Sequence, residues 1–185
     1  MARPNLLLLL LPALLSAGST GRPASSTNLG GIGGEKLTHL RFFFHDIVSG
    51  PQPTVVTVAS GASTNTSATF FGLVSVFDDP LTVGPKPTSQ LVGRAQGLYA
   101  SAAQDSMGLL MVMNFVFVNG KFNGSTLTIL GRNQIFTKLR EMPILGGTKA
   151  FRFARGYVQA RTHSFDLVTK NAVVEYNCYV LHIDE

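Results

Sequence analysis

From residue 37 onward the chain alternates apolar and polar side chains with a period of two, and no stretch sustains a helical period. Eight strand-like runs result: 37–48, 54–60, 68–77, 91–103, 107–119, 124–132, 148–162 and 172–184. They are rich in Val, Phe, Leu, Thr and Tyr, and turn-forming stretches separate them: SGPQPT, DDPLTVGPKPTS, NGKFNG and the pair Gly146-Gly147. Asn119-Gly120 and Asn123-Gly124 between the fifth and sixth runs are a strong hairpin signal. Eight successive antiparallel strands predict an all-β, eight-stranded up-and-down barrel, because closure removes exposed sheet edges. A two-sheet sandwich is the alternative. At eight strands the interior is either filled by side chains or holds one small ligand. The segment 133–147 is the least strand-like and is expected to be a loop with a short helical turn.

Several strands are apolar on both faces. MGLLMVMNFVFV, residues 107–118, sets Leu109, Met111, Met113, Phe115 and Phe117 on one side. Leu110, Val112, Val116 and Val118 lie on the other. A barrel exposed to water on its outside should be polar there, so the exterior is expected to pack against a second copy. The pattern predicts a homo-oligomer and leaves its order open.

Two charged residues break the apolar phase. Leu40, Phe42, Phe44 and Val48 share one face of the first strand, and Asp46 falls among them. An unpaired buried carboxylate shifts its pKa, finds a cation or lines a cavity. Alternatively the strand ends there and Asp46 meets solvent. In AFRFARGYVQAR, residues 150–161, Arg155 lies in phase with Phe151, Phe153 and Tyr157. It is expected either in a pocket, or in a structural ion pair or a subunit interface. Tyr99 is in phase with Gly93 and Gly97, whose missing side chains leave room beside it, and Asn133 follows Leu127 and Ile129 at a strand end. Together these residues predict an apolar pocket with a few convergent polar groups. Asp78 in VFDDP is expected at a turn, with the option of facing the barrel mouth.

No metal or cofactor is expected. His39, His45, His163 and His182 have no paired ligand spacing, and neither a nucleophile elbow, a P-loop nor a dinucleotide fingerprint is present. The 185 residues, 45% hydrophobic, suffice for one domain with a sizeable core. The net charge of +5 comes from dispersed basic residues, which argues against nucleic acid as a partner. Residues 1–18 have the form of a secretory signal: Arg3, the apolar run Leu6 to Leu15, then Ser16-Ala17-Gly18. That run is shorter than the ~20 residues needed to cross a membrane, so a secreted protein without a membrane span is expected. Residues 19–36 read as a flexible Gly/Ser/Pro-rich arm, with the barrel domain following from 37 to 185. Asn65 and Asn123 begin glycosylation sequons in turn-like stretches. Cys178 is the only cysteine, so no intramolecular disulfide forms; it is expected to be a buried structural thiol.

FFFHDIVSG, FDDPLT, LVGRAQGLY, GSTLTILGRN and GGTKAFRFARGY occur in that order and together resemble the plant dirigent proteins, over roughly residues 37 to 184. The resemblance implies a secreted, apoplastic trimer of eight-stranded barrels with one pocket per subunit. Such proteins have no oxidising centre. They hold phenoxy radicals of the coniferyl alcohol type, made by an external laccase or peroxidase, so that coupling gives one enantiomer of a lignan. By motif, Asp46, Arg155 and Tyr99 match polar pocket residues of the family, and Phe44 and Phe153 flank them as pocket aromatics. Two departures follow. Asn133 stands where lignan-forming members have an aspartate, and the cysteine those members carry before the first strand is missing. This chain therefore resembles the non-lignan branches, some of which are cyclising dehydratases acting through quinone methides. There Asp46 would be the general acid or base, with Arg155 or Tyr99 stabilising the leaving oxygen. A wall-associated structural role is the third option.

Overall fold

The computed structural model describes residues 34–183, and every strand among them belongs to one antiparallel sheet. The strands are β1 (Glu35–Asp46), β2 (Val55–Ala59), β3 (Val74–Thr82), β4 (Leu91–Ser101), β5 (Gly108–Phe117), β6 (Thr126–Gln134), β7 (Arg140–Thr148), β8 (Arg155–Phe165) and β9 (Ala172–Ile183). Their order in the sheet is β1-β9-β8-β7-β6-β5-β4-β3-β2, and β1 also pairs with β3 through Phe43↔Thr82 and Phe44↔Leu81. That pairing closes the barrel.

The ring nevertheless has eight staves. β2 joins the same edge of β3 just beyond β1, with Val55 opposite Phe77, and runs in the same direction as β1. The two are halves of one stave, interrupted at residues 47–54 and drawn together where the Thr54 amide donates to the Ile47 carbonyl at 2.9 Å. The eight-stranded closed barrel expected from the alternation is what the chain forms.

Three boundaries differ, for local reasons. β3 was expected over 68–77 but spans Val74–Thr82, running through Asp78-Asp79-Pro80 instead of turning there. Pro80 is tolerated because it lies between the β2-paired and β1-paired parts of that edge, where no ladder partner is lost. The segment 133–147, expected to be a loop with a helical turn, holds the whole strand β7 except its last residue. Arg140 and Pro143 hid its alternation, yet Arg140, Met142 and Ile144 are all buried on one face. Gly146 and Gly147, expected as a turn, lie within β7; a Cβ on Gly147 would come within 2.5 Å of the Thr126 carbonyl oxygen, so β6 and β7 approach only with glycine there. The run 148–162 opens instead with a 3-10 turn at Lys149–Phe151 that starts on left-handed Lys149 (φ 51°) and is followed by left-handed Phe153 (φ 60°), and β8 starts at Arg155. Glu35 and Lys36 belong to β1 rather than to the arm, while the expected leader and the rest of the arm up to residue 33 lie outside the described residues.

One end of the lumen is filled. Phe42 meets Phe115 edge-on at 5.0 Å, and Phe151 packs against Phe122 at 4.7 Å and Phe117 at 5.6 Å. Leu127, Ile129, Val158, Cys178 and Val180 complete this core. Each such side chain contributes roughly 1.5–3 kcal/mol on burial. Cys178 is fully buried, as expected, and burial pushes its thiol pKa up, so it stays protonated. The other end of the lumen is open. Among the described residues no helix is long and apolar enough to cross a membrane.

Candidate functional site

The open end holds a cavity of about 670 Å³. Phe44, Met111, Leu109 and Tyr176 form its apolar walls, and Asp46, Tyr99, Asn133, Arg140 and Thr162 reach into it. Its size suits one small aromatic ligand. Exposed Phe70, Phe136 and Leu167 stand around its mouth.

Asp46 is the last residue of β1 and follows Phe42 and Phe44 on the inward phase. The β1–β3 register, continued two residues from Phe44↔Leu81, sets it opposite Asp79. Asp79 shares the inward phase of Phe77 and Leu81 and is fully buried. Its Oδ1 accepts a hydrogen bond from the Thr54 hydroxyl, whereas Asp79 Oδ2 and Asp46 Oδ1 are buried without a hydrogen-bond partner among the described residues. Burial pushes Asp46 up to about 6, and burial together with the Asp46 charge pushes Asp79 up to about 8. Two opposed carboxyls in an apolar wall cannot both ionise cheaply, so near neutral pH the pair retains a proton. This is an acid held ready to donate.

Tyr99 stacks on Phe77 with ring centroids 5.7 Å apart. Burial, with the Asp46 charge, raises its phenol pKa, so it acts as a hydrogen-bond donor rather than a base. The glycines in phase with Tyr99 serve strand packing and not, as expected, space beside its ring. A Cβ on Gly97 would meet the Val112 carbonyl oxygen at 2.1 Å, and one on Gly93 the Val116 carbonyl oxygen at 2.4 Å. These glycines bring β4 against β5 and do not open space in the lumen.

The guanidinium in the cavity belongs to Arg140, the first residue of β7, and not to Arg155. Arg140 donates from Nε to Asn133 Oδ1 at 3.2 Å and from Nη1 to Thr162 Oγ1 at 2.9 Å. It is 5% exposed, and no carboxylate among the described residues pairs with it. Burial alone lowers its pKa from the ordinary arginine value, yet a guanidinium stays charged. Asn133 is thus buried at the cavity wall as a hydrogen-bond acceptor for Arg140.

Three expected pocket residues lie elsewhere. Arg155 is on the outside, 61% exposed, with its guanidinium 2.5 Å from Glu35 Oε1. Phe153 is 65% exposed. Both were assigned by counting alternation from Phe151, but the 3-10 turn and the left-handed Phe153 reset the phase before β8 begins. Asp78 faces outward and pairs with Arg94 at 2.5 Å, so its neighbour Asp79 takes the inward place. Two functional candidates were missed, each concealed by a mistaken element boundary: Asp79 by the assumed turn, and Arg140 by the assumed loop. Alternation through FDDPL and REMPI would have exposed both. His45 points outward and bonds Thr82 Oγ1 at 2.7 Å, away from Asp46. Asn65 and Asn123 are both exposed, each at a 3-10 turn. No group of three His, Cys, Asp or Glu among the described residues is arranged to hold a metal.

A family model described as Dirigent-like protein matches residues 37–181, nearly the whole barrel. The chain belongs to the dirigent family. Dirigent protein 21 of Arabidopsis thaliana is 56% identical over 184 residues, covering 95% of this chain and 97% of that protein. Pterocarpan synthase 1 of Glycine max is 54% identical over 149 residues, 80% of each chain. A solved pterocarpan synthase dirigent protein superposes with a TM-score of 0.80 at 53% identity, covering 89% of this chain and all of that one. This dirigent barrel therefore has similar proteins whose names denote an enzyme as well as others named only for the family.

Proposed function

We propose that this dirigent protein is a dehydrating cyclase for phenolic substrates that carry a benzylic hydroxyl. The observation that carries this reading is Asp46 at the wall of an apolar cavity, backed by fully buried Asp79, with an unpaired oxygen on each carboxyl. In the step envisaged, the pair gives a proton to the benzylic hydroxyl, the C–O bond breaks and water leaves. The substrate's phenol on the same ring gives up its proton as that ring becomes a quinone methide. A second phenol oxygen of the substrate then attacks the methide carbon, forming the new C–O bond; its proton returns to the pair, and as the ring rearomatises the first phenol takes back from solvent the proton it had released there. The net change is loss of one water, and no oxidant is consumed. Arg140, fixed by Asn133 and Thr162, is suited to the quinone-methide carbonyl oxygen, because negative charge grows there as the second phenol attacks and the ring rearomatises. Tyr99 is suited to orient the departing hydroxyl. The similar pterocarpan synthases support a ring-closing reaction of this kind.

The test is oxidant-free incubation of the purified protein with a 4-hydroxyisoflavan bearing a free phenol on the ring of the benzylic carbon and another on its second ring, followed by chromatography. Loss of water with ring closure supports the reading, and no turnover across a panel of such alcohols overturns it.

A second reading has its own support. The wide apolar cavity with aromatic residues at its mouth also suits the guidance of phenoxy radicals supplied by an external laccase or peroxidase, as in lignan coupling. Chiral chromatography of coniferyl alcohol dimers made with a one-electron oxidant tests it; a racemic product at saturating protein removes it. For both readings we infer a secreted homo-oligomer, in keeping with a dirigent trimer. Exposed apolar residues on the outer faces of β3, β5 and β6, Val76, Leu110 and Leu130, support assembly, and sedimentation velocity tests it.

A further inference from the structure

Thr54 is placed with unusual definition for a residue that ends a loop. Its amide donates to the Ile47 carbonyl at 2.9 Å, and its carbonyl accepts from the Asp78 amide at 3.0 Å. The first bond closes the interruption between β1 and β2, and the second ties it to β3. Its hydroxyl, with the backbone held on both sides, donates to Asp79 Oδ1. The partner of that hydroxyl is therefore not a matter of loop position, and the Asp79 carboxyl has one oxygen engaged and one, Oδ2, buried without a partner. Asp46 Oδ1 is orphaned in the same way.

We propose that Thr54 is a positioning residue for the acid pair: its hydroxyl clamps Asp79 through Oδ1, reserves Oδ2 for the proton, and so sets how firmly the pair holds that proton. The assignment rests on the dehydration reading for its chemical purpose, but not for its physical content. A hydroxyl donor stabilises the ionised carboxylate and not the protonated acid at that oxygen, so it opposes the desolvation that favours protonation. The charges that act on Asp79 otherwise are Asp46 from β1, Asp78 beside it on β3, and Arg94 from β4. Tyr99 and Tyr176 face the pair from β4 and β9 as protonated phenols. Of these groups only Arg94 also favours ionisation, and it lies on the outer face in a pair with Asp78. Among the described residues Thr54 is the one group that hydrogen-bonds the carboxyl directly.

The experiment is a titration of the protein labelled with ¹³C at the aspartate carboxyls, followed by NMR, with Asp46→Asn and Asp79→Asn proteins assigning the two signals. Thr54→Val keeps the β-branched shape and removes only the hydroxyl. It should move the Asp79 step upward by about one pH unit, a tenfold change in its ionisation constant, while Thr54→Ser returns it to the wild-type position. Thr54→Ala serves in the same direction if the valine protein does not fold. An Asp79 step that stays in place in Thr54→Val, or that moves equally in Thr54→Ser, overturns the assignment. In the pH–rate profile the same shift should appear as displacement of the alkaline limb. A shifted titration with no turnover in any variant would retain the clamp and remove the dehydration reading instead.

Discussion

The two ends of this barrel are made by the same staves under the same alternation, and they do opposite things. At the closed end the inward positions of β1, β5 and β9 carry Phe42, Phe115, Phe117, Cys178 and Val180. The one buried histidine there, His182, is satisfied by Thr38 Oγ1 at 2.8 Å. Farther along the staves, β1 presents Asp46, β3 presents Asp79 and β7 presents Arg140 at equivalent inward positions. The closed end stabilises the fold by burying apolar surface. The open end opposes that gain, because two carboxyls are desolvated there without full hydrogen bonding. The cavity is tolerated because the closed end provides the stability it lacks.

The contrast is broken most sharply at the acid pair. Asp79→Asn should lower the rate of the proposed dehydration by roughly 10²–10⁴-fold, the usual size of a positioned proton donor, as measured by steady-state turnover without oxidant. The same substitution should stabilise the protein at pH 8. Both folded-state values lie above the ordinary carboxylate range, so the folded chain holds more protons than the unfolded one between about pH 4 and the values of about 6 and about 8. Stability then falls as pH rises through that window, and it is greatest below it. Asp79→Asn should flatten the fall, and thermal melts at pH 5 and pH 8 read it directly. A variant that loses both activity and alkaline stability would contradict this.

Phe115→Ala probes the opposite end and should destabilise by about 3–5 kcal/mol in chemical denaturation. It should leave the carboxyl titrations of Asp46 and Asp79 where they are, since Phe115 belongs to the aromatic plug. Arg140→Lys is a smaller change. Lysine keeps a charge but cannot span Asn133 and Thr162 together, and we expect kcat to fall by about 10-fold or more with KM less affected. A rise in KM alone would instead make Arg140 a ground-state binding group. Smallest of all is Arg155→Ala, which should leave turnover unchanged and alter stability by no more than about 1 kcal/mol, since its partner Glu35 is an exposed surface charge.

Much is legible in the sequence alone. The period of two, the turn chemistry and the absence of helical stretches lead to a closed antiparallel barrel with few alternatives. Asp46 stood out as an acid in an apolar phase, and that is where it lies. Phe44, Tyr99 and Asn133 also line the cavity. The misplaced pocket residues share one origin. Alternation assigns faces only within a continuous strand, and each mistaken residue lies across an unrecognised boundary. Phe153 and Arg155 follow a corner whose left-handed residues shift the phase. Asp78 was preferred over Asp79 because Asp-Asp-Pro looks like a turn, whereas here it continues through β3.

The chain's own pattern of side chains, then, settled the strands' faces, the barrel and the presence of one buried acid, since those depend on local periodicity and on the need to pair every sheet edge. Which charges meet at the open end was decided only by closure. Asp46 and Asp79 are 33 residues apart and meet because β1 closes on β3. Arg140 reaches Asn133 and Thr162 because β7 lies between β6 and β8. Thr54 reaches Asp79 because the interrupted stave delivers its hydroxyl there. The strength of an acid depends on the atoms around it, and those neighbours are set by register across strands rather than by order along the chain.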